Sequence, residues 1–207
     1  MYLLIRGFVV VCLLSVAVAA QSFFLRNDLV NLKASRVIND IGEELLQKTN
    51  LFAYVIATNE HFPQGFDLVR YTHETYGSKL KKPYVVLLFA PFATIRDDIE
   101  ARGRFGLVAS SPAVRKMYDY DEVRDAAVGI VATKDSNKLE DKVAIGVVQG
   151  YSVLADNIAA YKGVKLSKTI PNETGSFLWV LRVLIYSGSL VVLWFFVIMP
   201  ILRKWRR

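Results

Sequence analysis

Cysteine is almost missing from this 207-residue chain: the only one, Cys12, lies inside the first apolar segment. The body of the chain therefore holds no disulfide, no thiol nucleophile and no thiolate metal site. Lipid attachment at Cys12 is disfavoured too, because Val11 precedes it and the apolar run continues to Ala20. Histidine is nearly as scarce. His61 and His73 stand alone, without the H-E-x-x-H spacing of a zinc hydrolase. No phosphate-binding glycine loop, dinucleotide glycine pattern or G-x-S-x-G nucleophile turn occurs, so neither Ser110 nor Ser152 has the setting of an activated serine.

The excess of positive charge is narrower than it looks. The chain carries 26 Lys and Arg against 19 Asp and Glu. Arg6, Arg182, Arg203, Lys204, Arg206 and Arg207 lie in or beside the terminal apolar segments, which leaves the middle near neutrality. A high isoelectric point usually raises the expectation of nucleic-acid binding. Here the surplus has a topological reading, and no nucleic-acid partner is expected.

Hydrophobicity is also concentrated at the ends. Residues 1–20 combine Arg6, an apolar run and Ala17-Val18-Ala19, the form of a cleavable secretory signal. An uncleaved N-terminal anchor is the competing reading, and both place the following domain on the exported side. Residues 177–202 supply the ~20 apolar residues that a helix needs to cross hydrocarbon. Trp179 and Tyr186 lie toward one end and Trp205 at the other, the positions of interfacial aromatics, while Arg182 can extend its charge outward. The basic tail 203–207 belongs in the cytoplasm by the positive-inside rule. The expected topology is single-pass, with a periplasmic (or equivalent exported-side) domain over 21–163 and a polar linker over 164–176. Ser187-Gly188-Ser189 would let another helix approach closely, a second copy of the chain included.

Within the domain, Val37, Ile38, Ile41, Leu45 and Leu46 share a helical face, which predicts a helix from about residue 28 or 34 to 48. The run LFAYVIAT (51–58) predicts a buried strand, and Phe66, Val69, Tyr76 and Leu80 give helical spacing after it. YVVLLFA (84–90) predicts a second buried strand, hence a βαβ unit with a parallel pair. Residues 101–109 alternate more and predict an antiparallel strand nearer an edge. Ser110-Ser111-Pro112 starts a short helix, and 123–133 is apolar but of undecided type. Val143, Val147, Tyr151, Leu154, Ile158 and Tyr161 predict a long helix over 138–161, ended by Gly163. The fold class is α/β: a small mixed sheet with helices on both faces, plus one C-terminal transmembrane helix.

This element order, with RFGLVAS in the third strand and EDKVAIGVVQGYSVLADNIAAYKG in the closing helix, resembles the TPM domain family over about residues 34–164. The resemblance extends to an export signal paired with a C-terminal membrane helix. It implies an α/β sandwich working beside membrane complexes, in photosystem repair or as auxiliary support of a receptor channel. Some members are described as phosphatases or as calcium-binding through acidic loop residues. Here Ala109-Ser110-Ser111-Pro112 stands where members carry a glycine-rich acidic stretch, so those activities are not carried over.

Asp119, Asp121, Glu122 and Asp125 form the best candidate for a divalent cation site. Grouped carboxylates need a cation to offset their repulsion, and oxygen ligands suit Ca2+ or Mg2+. The competing reading is a solvated face bridged to Arg115, Lys116 and Arg124. Asp97, Asp98 and Glu100 form a second acidic group among Arg96, Arg102 and Arg104. Tyr118, Tyr120, Tyr151 and Tyr161 offer either a partner surface or core packing. The function expected is that of a non-catalytic accessory subunit or assembly factor of an integral membrane complex. A metal-assisted phosphatase using Asp119 and Asp121 and a self-associating membrane scaffold are the alternatives.

Overall fold

The computed structural model describes residues 22–98, 101–133 and 138–171, together with Tyr186 and Trp194. In chain order the elements are β1 (Phe24–Asn27), α1 (Leu32–Thr49), β2 (Phe52–Ala57), α2 (Leu68–Tyr76) with a 3-10 turn behind it, β3 (Tyr84–Arg96), β4 (Ala101–Ala109), α3 (Pro112–Arg115), α4 (Tyr120–Ala132) and α5 (Leu139–Tyr161). The strands form one sheet in the order β1-β2-β3-β4. β1, β2 and β3 run parallel, and β4 returns antiparallel on the outer edge of β3.

Two crossovers explain this arrangement. Each parallel pair needs a connection running back across the sheet, supplied by α1 between β1 and β2 and by α2 between β2 and β3. Helices on both faces bury both sides of the central strands, which is why β2 and β3 read as unbroken apolar runs. Ala53, Val55, Ala57, Val85, Leu87 and Phe89 belong to a core shared with α1, α4 and α5. Their neighbours Tyr54, Ile56, Val86, Leu88 and Ala90 pack under α2 and Phe62.

The structure departs from the sequence expectations in several places. β1 was not expected, and the residues before Asp28 carry it. Strand β3 runs on past residue 90 through Pro91. Its pairing with β2 ends at Phe89, so the missing proline N–H interrupts no ladder there. The undecided stretch 123–133 is helical as far as Ala132, the end of α4. Phe66 and Leu80 lie outside α2, whose buried face is Leu68, Thr72 and Tyr76, and Val69 is exposed. Tyr161, at the end of the predicted apolar face of α5, is exposed as well.

Helices α4 and α5 form a tight antiparallel pair. A Cβ on Gly146 would stand 2.4 Å from the Ala127 carbonyl oxygen, and one on Gly150 would stand 2.7 Å from the Ala127 Cβ. Glycine at both positions is what lets the backbones approach so closely. Among the described residues α5 is the one helix long and apolar enough to cross a membrane. Its apolar surface is already spent inside the domain, since 72% of its most apolar window is buried. The predicted membrane helix over 177–202 lies outside the described residues except for Tyr186 and Trp194, both exposed. Residues 1–21 lie outside them too.

The segment expected as a linker is described as far as Pro171, and it is docked. It leaves the end of α5 and runs along the groove between α1 and α5. Lys48 Nζ donates to the Lys165 carbonyl at 2.6 Å. The Ser167 and Lys168 N–H groups donate to the Glu44 carboxylate at 2.9 Å, and the Ser167 hydroxyl donates to it at 2.8 Å. Farther on, the Ile170 N–H donates to Ser152 Oγ at 2.7 Å, and Ser152 Oγ donates to the Ile170 carbonyl at 3.1 Å.

Candidate functional site

In an open α/β sheet the carboxyl ends of parallel strands leave their loops free to line a crevice. A cleft of about 840 Å³ opens at that place here. Asp28, Val30 and Asn31, from the turn between β1 and α1, form one wall. Asn59 follows β2, and Phe92 comes from the extension of β3. The opposite wall is the start of α5, including Leu139, Asp141 and Val143.

Local sequence explains each wall. Asn27 folds the β1–α1 turn on itself: its Oδ1 accepts from the Val30 N–H at 2.8 Å, and its Nδ2 donates to the Val30 carbonyl at 3.0 Å. Asn31 then caps α1 by accepting from the Ala34 N–H at 3.0 Å. Asp28 ties the strands together, accepting from Arg26 Nε at 2.7 Å, from the Thr58 hydroxyl at 3.2 Å and from the Asn59 N–H at 3.3 Å. Phe92 stacks on the His61 ring, with centroids 5.4 Å apart.

Arg26 carries a polar network behind this wall, reaching Asp28, Glu60 and the Tyr71 hydroxyl. Glu60 above all, with Tyr71 and Asp28, raises the guanidinium pKa against the opposing effect of burial. Burial, reinforced by Tyr76, likewise pushes the Tyr71 phenol up. Both groups stay protonated across the physiological range, so Arg26 and Tyr71 act as a fixed support. The described lining includes no serine, threonine, tyrosine, cysteine or histidine. It offers carboxylates, side-chain amides, an ammonium and an apolar floor, which suits holding a segment of mixed polarity.

The predicted cation ligands lie elsewhere, at the start of α4. Asp119 is its N-cap, accepting from the N–H groups of Asp121 at 2.9 Å and Glu122 at 3.2 Å. Asp121 pairs with Arg124 Nη1 at 2.7 Å, and Asp125 pairs with Arg124 Nη2 at the same distance. Glu122 accepts from Asn157 Nδ2 at 3.0 Å. Each carboxylate thus has a protein partner, and among the described residues no three acidic, histidine or cysteine groups converge on one point.

The other candidates have separate structural contacts. Asp98 accepts from Arg96 Nε at 3.0 Å, the Asp97 N–H donates to Gln64 at 3.2 Å, and Glu100 lies outside the described residues. His73 Nδ1 lies 3.4 Å from the Tyr84 hydroxyl, whereas His61 is on Phe92. Ser110 Oγ accepts from the Tyr84 N–H at 3.0 Å, and Ser152 holds Ile170. Tyr151 is fully buried, its hydroxyl donating to the Ala53 carbonyl at 2.8 Å. Tyr118 is buried with its hydroxyl unpartnered, Tyr120 reaches the Phe105 carbonyl at 3.3 Å, and Tyr161 is exposed.

Sequence reasoning missed the cleft itself. Its signal was present in Asn27-Asp28 and Thr58-Asn59-Glu60, polar clusters directly after two parallel strands. No protein-family model matches the chain, and no curated protein sequence matches it.

Proposed function

We propose that this chain is a single-pass membrane protein whose exported-side α/β domain is an accessory subunit or assembly factor of an integral membrane complex. The observation that carries the reading is the docked segment 164–171. Three donors of the segment on the buried Glu44 carboxylate, with Lys48 on the Lys165 carbonyl, hold it to the domain, and only Asn172 to Ser176 separate it from the apolar run at Phe177. A domain held this tightly beside an anchoring segment is suited to presenting one fixed surface to a neighbour in the same membrane. The basic tail 203–207 supports a cytoplasmic C-terminus.

The cleft at the carboxyl ends of β1, β2 and β3 offers a mixed polar and apolar lining to such a neighbour. The element order supports the same reading through its resemblance to TPM domains. Purification of the full chain from native membranes in mild detergent tests the proposal. An integral membrane protein is expected to co-purify in fixed ratio. Recovery of the chain alone after full solubilisation would refute it, and release of the intact chain by alkaline carbonate would refute the anchor.

A further inference from the structure

The docked segment has a direction. Lys165 lies beside Lys48 and Ser167 beside Glu44, so successive residues step back toward the start of α1. On the other side of the groove Val164 bonds to Ala159, whereas Ile170 has reached Ser152, so the same residues step back toward the start of α5. The chain therefore leaves Pro171 heading for the end of the domain where both helices begin, which is also the end where the cleft opens. Ser152 is 13 residues from Leu139, about 20 Å along α5 at 1.5 Å per residue. The five residues 172–176 span at most about 18 Å when extended. Fully extended, those five residues come close to the length needed to reach the cleft end.

Three exposed apolar side chains stand at that same end, while Val69, Val128 and Ile170 are exposed elsewhere on the helices and the docked segment. Leu32 in the first turn of α1 is 81% exposed, Leu139 in the first turn of α5 is 49% exposed, and Ile95 at the tip of β3 is 46% exposed. Ile145 follows on α5. At the far end of the sheet Tyr161 is the one exposed large apolar residue among those described. Lys33, Arg96 and Lys138 stand among Asp97, Asp98 and Glu140, so the rim has mixed charge and makes no demand for anionic lipid.

We infer that the cleft end of the domain rests on the bilayer that holds the chain's own apolar segment, with Leu32, Ile95 and Leu139 entering the headgroup layer. This rests on the membrane-anchor reading above. The cleft mouth then opens at the level where membrane-embedded partners emerge.

The test uses the full chain with Cys12→Ser in phosphatidylcholine nanodiscs, carrying an environment-sensitive fluorophore on a single introduced cysteine. Leu32→Cys and Leu139→Cys report the cleft end, Lys81→Cys and Tyr161→Cys the opposite end, and Val191→Cys the anchor. Lipids carrying a nitroxide near the headgroup should quench the cleft-end positions several-fold more than the opposite-end positions. Leu32→Glu with Leu139→Glu should free a probe at Ile95→Cys from this quenching while Val191 stays in lipid. If Val191 is in lipid but the cleft end remains open to aqueous iodide, the docking inference fails and the anchor reading stands. If Val191 is also open to iodide, the anchor reading fails and takes the inference with it. If the cleft end is shielded in native membranes but not in nanodiscs, its occupant is a protein, and the lipid assignment is overturned.

Discussion

Glu44 is a carboxylate in the middle of a helix, 7% exposed, and it offers the sharpest test of how the docked segment is held. Burial alone would push its pKa up. Lys48, the Ser167 and Lys168 N–H groups and the Ser167 hydroxyl outweigh that and draw it down from 4.5 to about 2. At about 1.4 kcal/mol per unit, the ionised form is favoured in the fold by roughly 3 kcal/mol. Lys48 is 41% exposed, so solvent screening reduces its share and about 2–3 kcal/mol is the expected size. Because the folded pKa is depressed, this stabilisation is complete above about pH 4.5 and disappears as pH falls toward 2.

Glu44→Gln should therefore lower the unfolding free energy near neutral pH by about 2–3 kcal/mol, since a neutral amide turns an N–H2 donor toward donors. It should also flatten the pH dependence between 4.5 and 2, where the wild type loses stability. Amide hydrogen exchange locates the effect: the Ser167 and Lys168 N–H groups should lose protection first. Denaturant melts at pH 7 and pH 3, with exchange rates at those two amides, complete the measurement. Unchanged protection there, or a variant with the full wild-type acid slope, would refute the assignment of Glu44 as the clamp.

Gly146→Ala should cost about 1–3 kcal/mol in a urea melt, because its Cβ meets the Ala127 backbone at 2.4 Å. Gly129→Ala, with nothing within 4 Å, should instead gain up to about 1 kcal/mol from helix propensity. Tyr151→Phe removes a buried hydrogen bond and should cost about 1 kcal/mol, whereas Tyr118→Phe removes an unpartnered buried hydroxyl and should be neutral or stabilising in the same assay. Asp119→Ala should cost about 1 kcal/mol by loss of the α4 cap, and Asp119→Asn should preserve stability. Stabilisation of the wild type by millimolar Ca2+ that Asp119→Asn abolishes would contradict the assignment of Asp119 as a cap alone.

What could be read from the sequence depended on whether the governing contacts were local. β2 and β3 were legible because burial on both faces leaves an unbroken apolar signature. α5 was legible because Val143, Val147, Tyr151, Leu154 and Ile158 keep one face over about four turns. β1 was not. It has four residues, includes Arg26, and abuts the apolar N-terminal segment, so neither alternation nor length sets it apart. The apolar residues of α4 are consecutive, Ala126 to Val131 apart from Gly129, which hides the helical period. Asp119-x-x-Glu122 nevertheless has the spacing of a capping box, the local signal of a helix start. The clamp at Glu44 gave no sign, because Ser167 and Lys168 lie more than 120 residues away. The cleft escaped for the same reason, being assembled from the ends of three strands and one helix.

The clamp also changes what a membrane anchor would do for this domain. A free 13-residue linker over 164–176 would let the domain wander with a root-mean-square reach of about 20 Å, whereas a tether of no more than five residues would reduce that to about 12 Å. Cubing the ratio confines the domain to a volume roughly fourfold smaller, and its local concentration against a neighbour in the same bilayer rises by the same factor. Orientation is restricted at the same time, because the segment leaves along the α1–α5 groove in a single direction. A clamped linker of this kind suits the accessory-subunit reading proposed above, in which the domain presents one surface to a neighbour in the same bilayer.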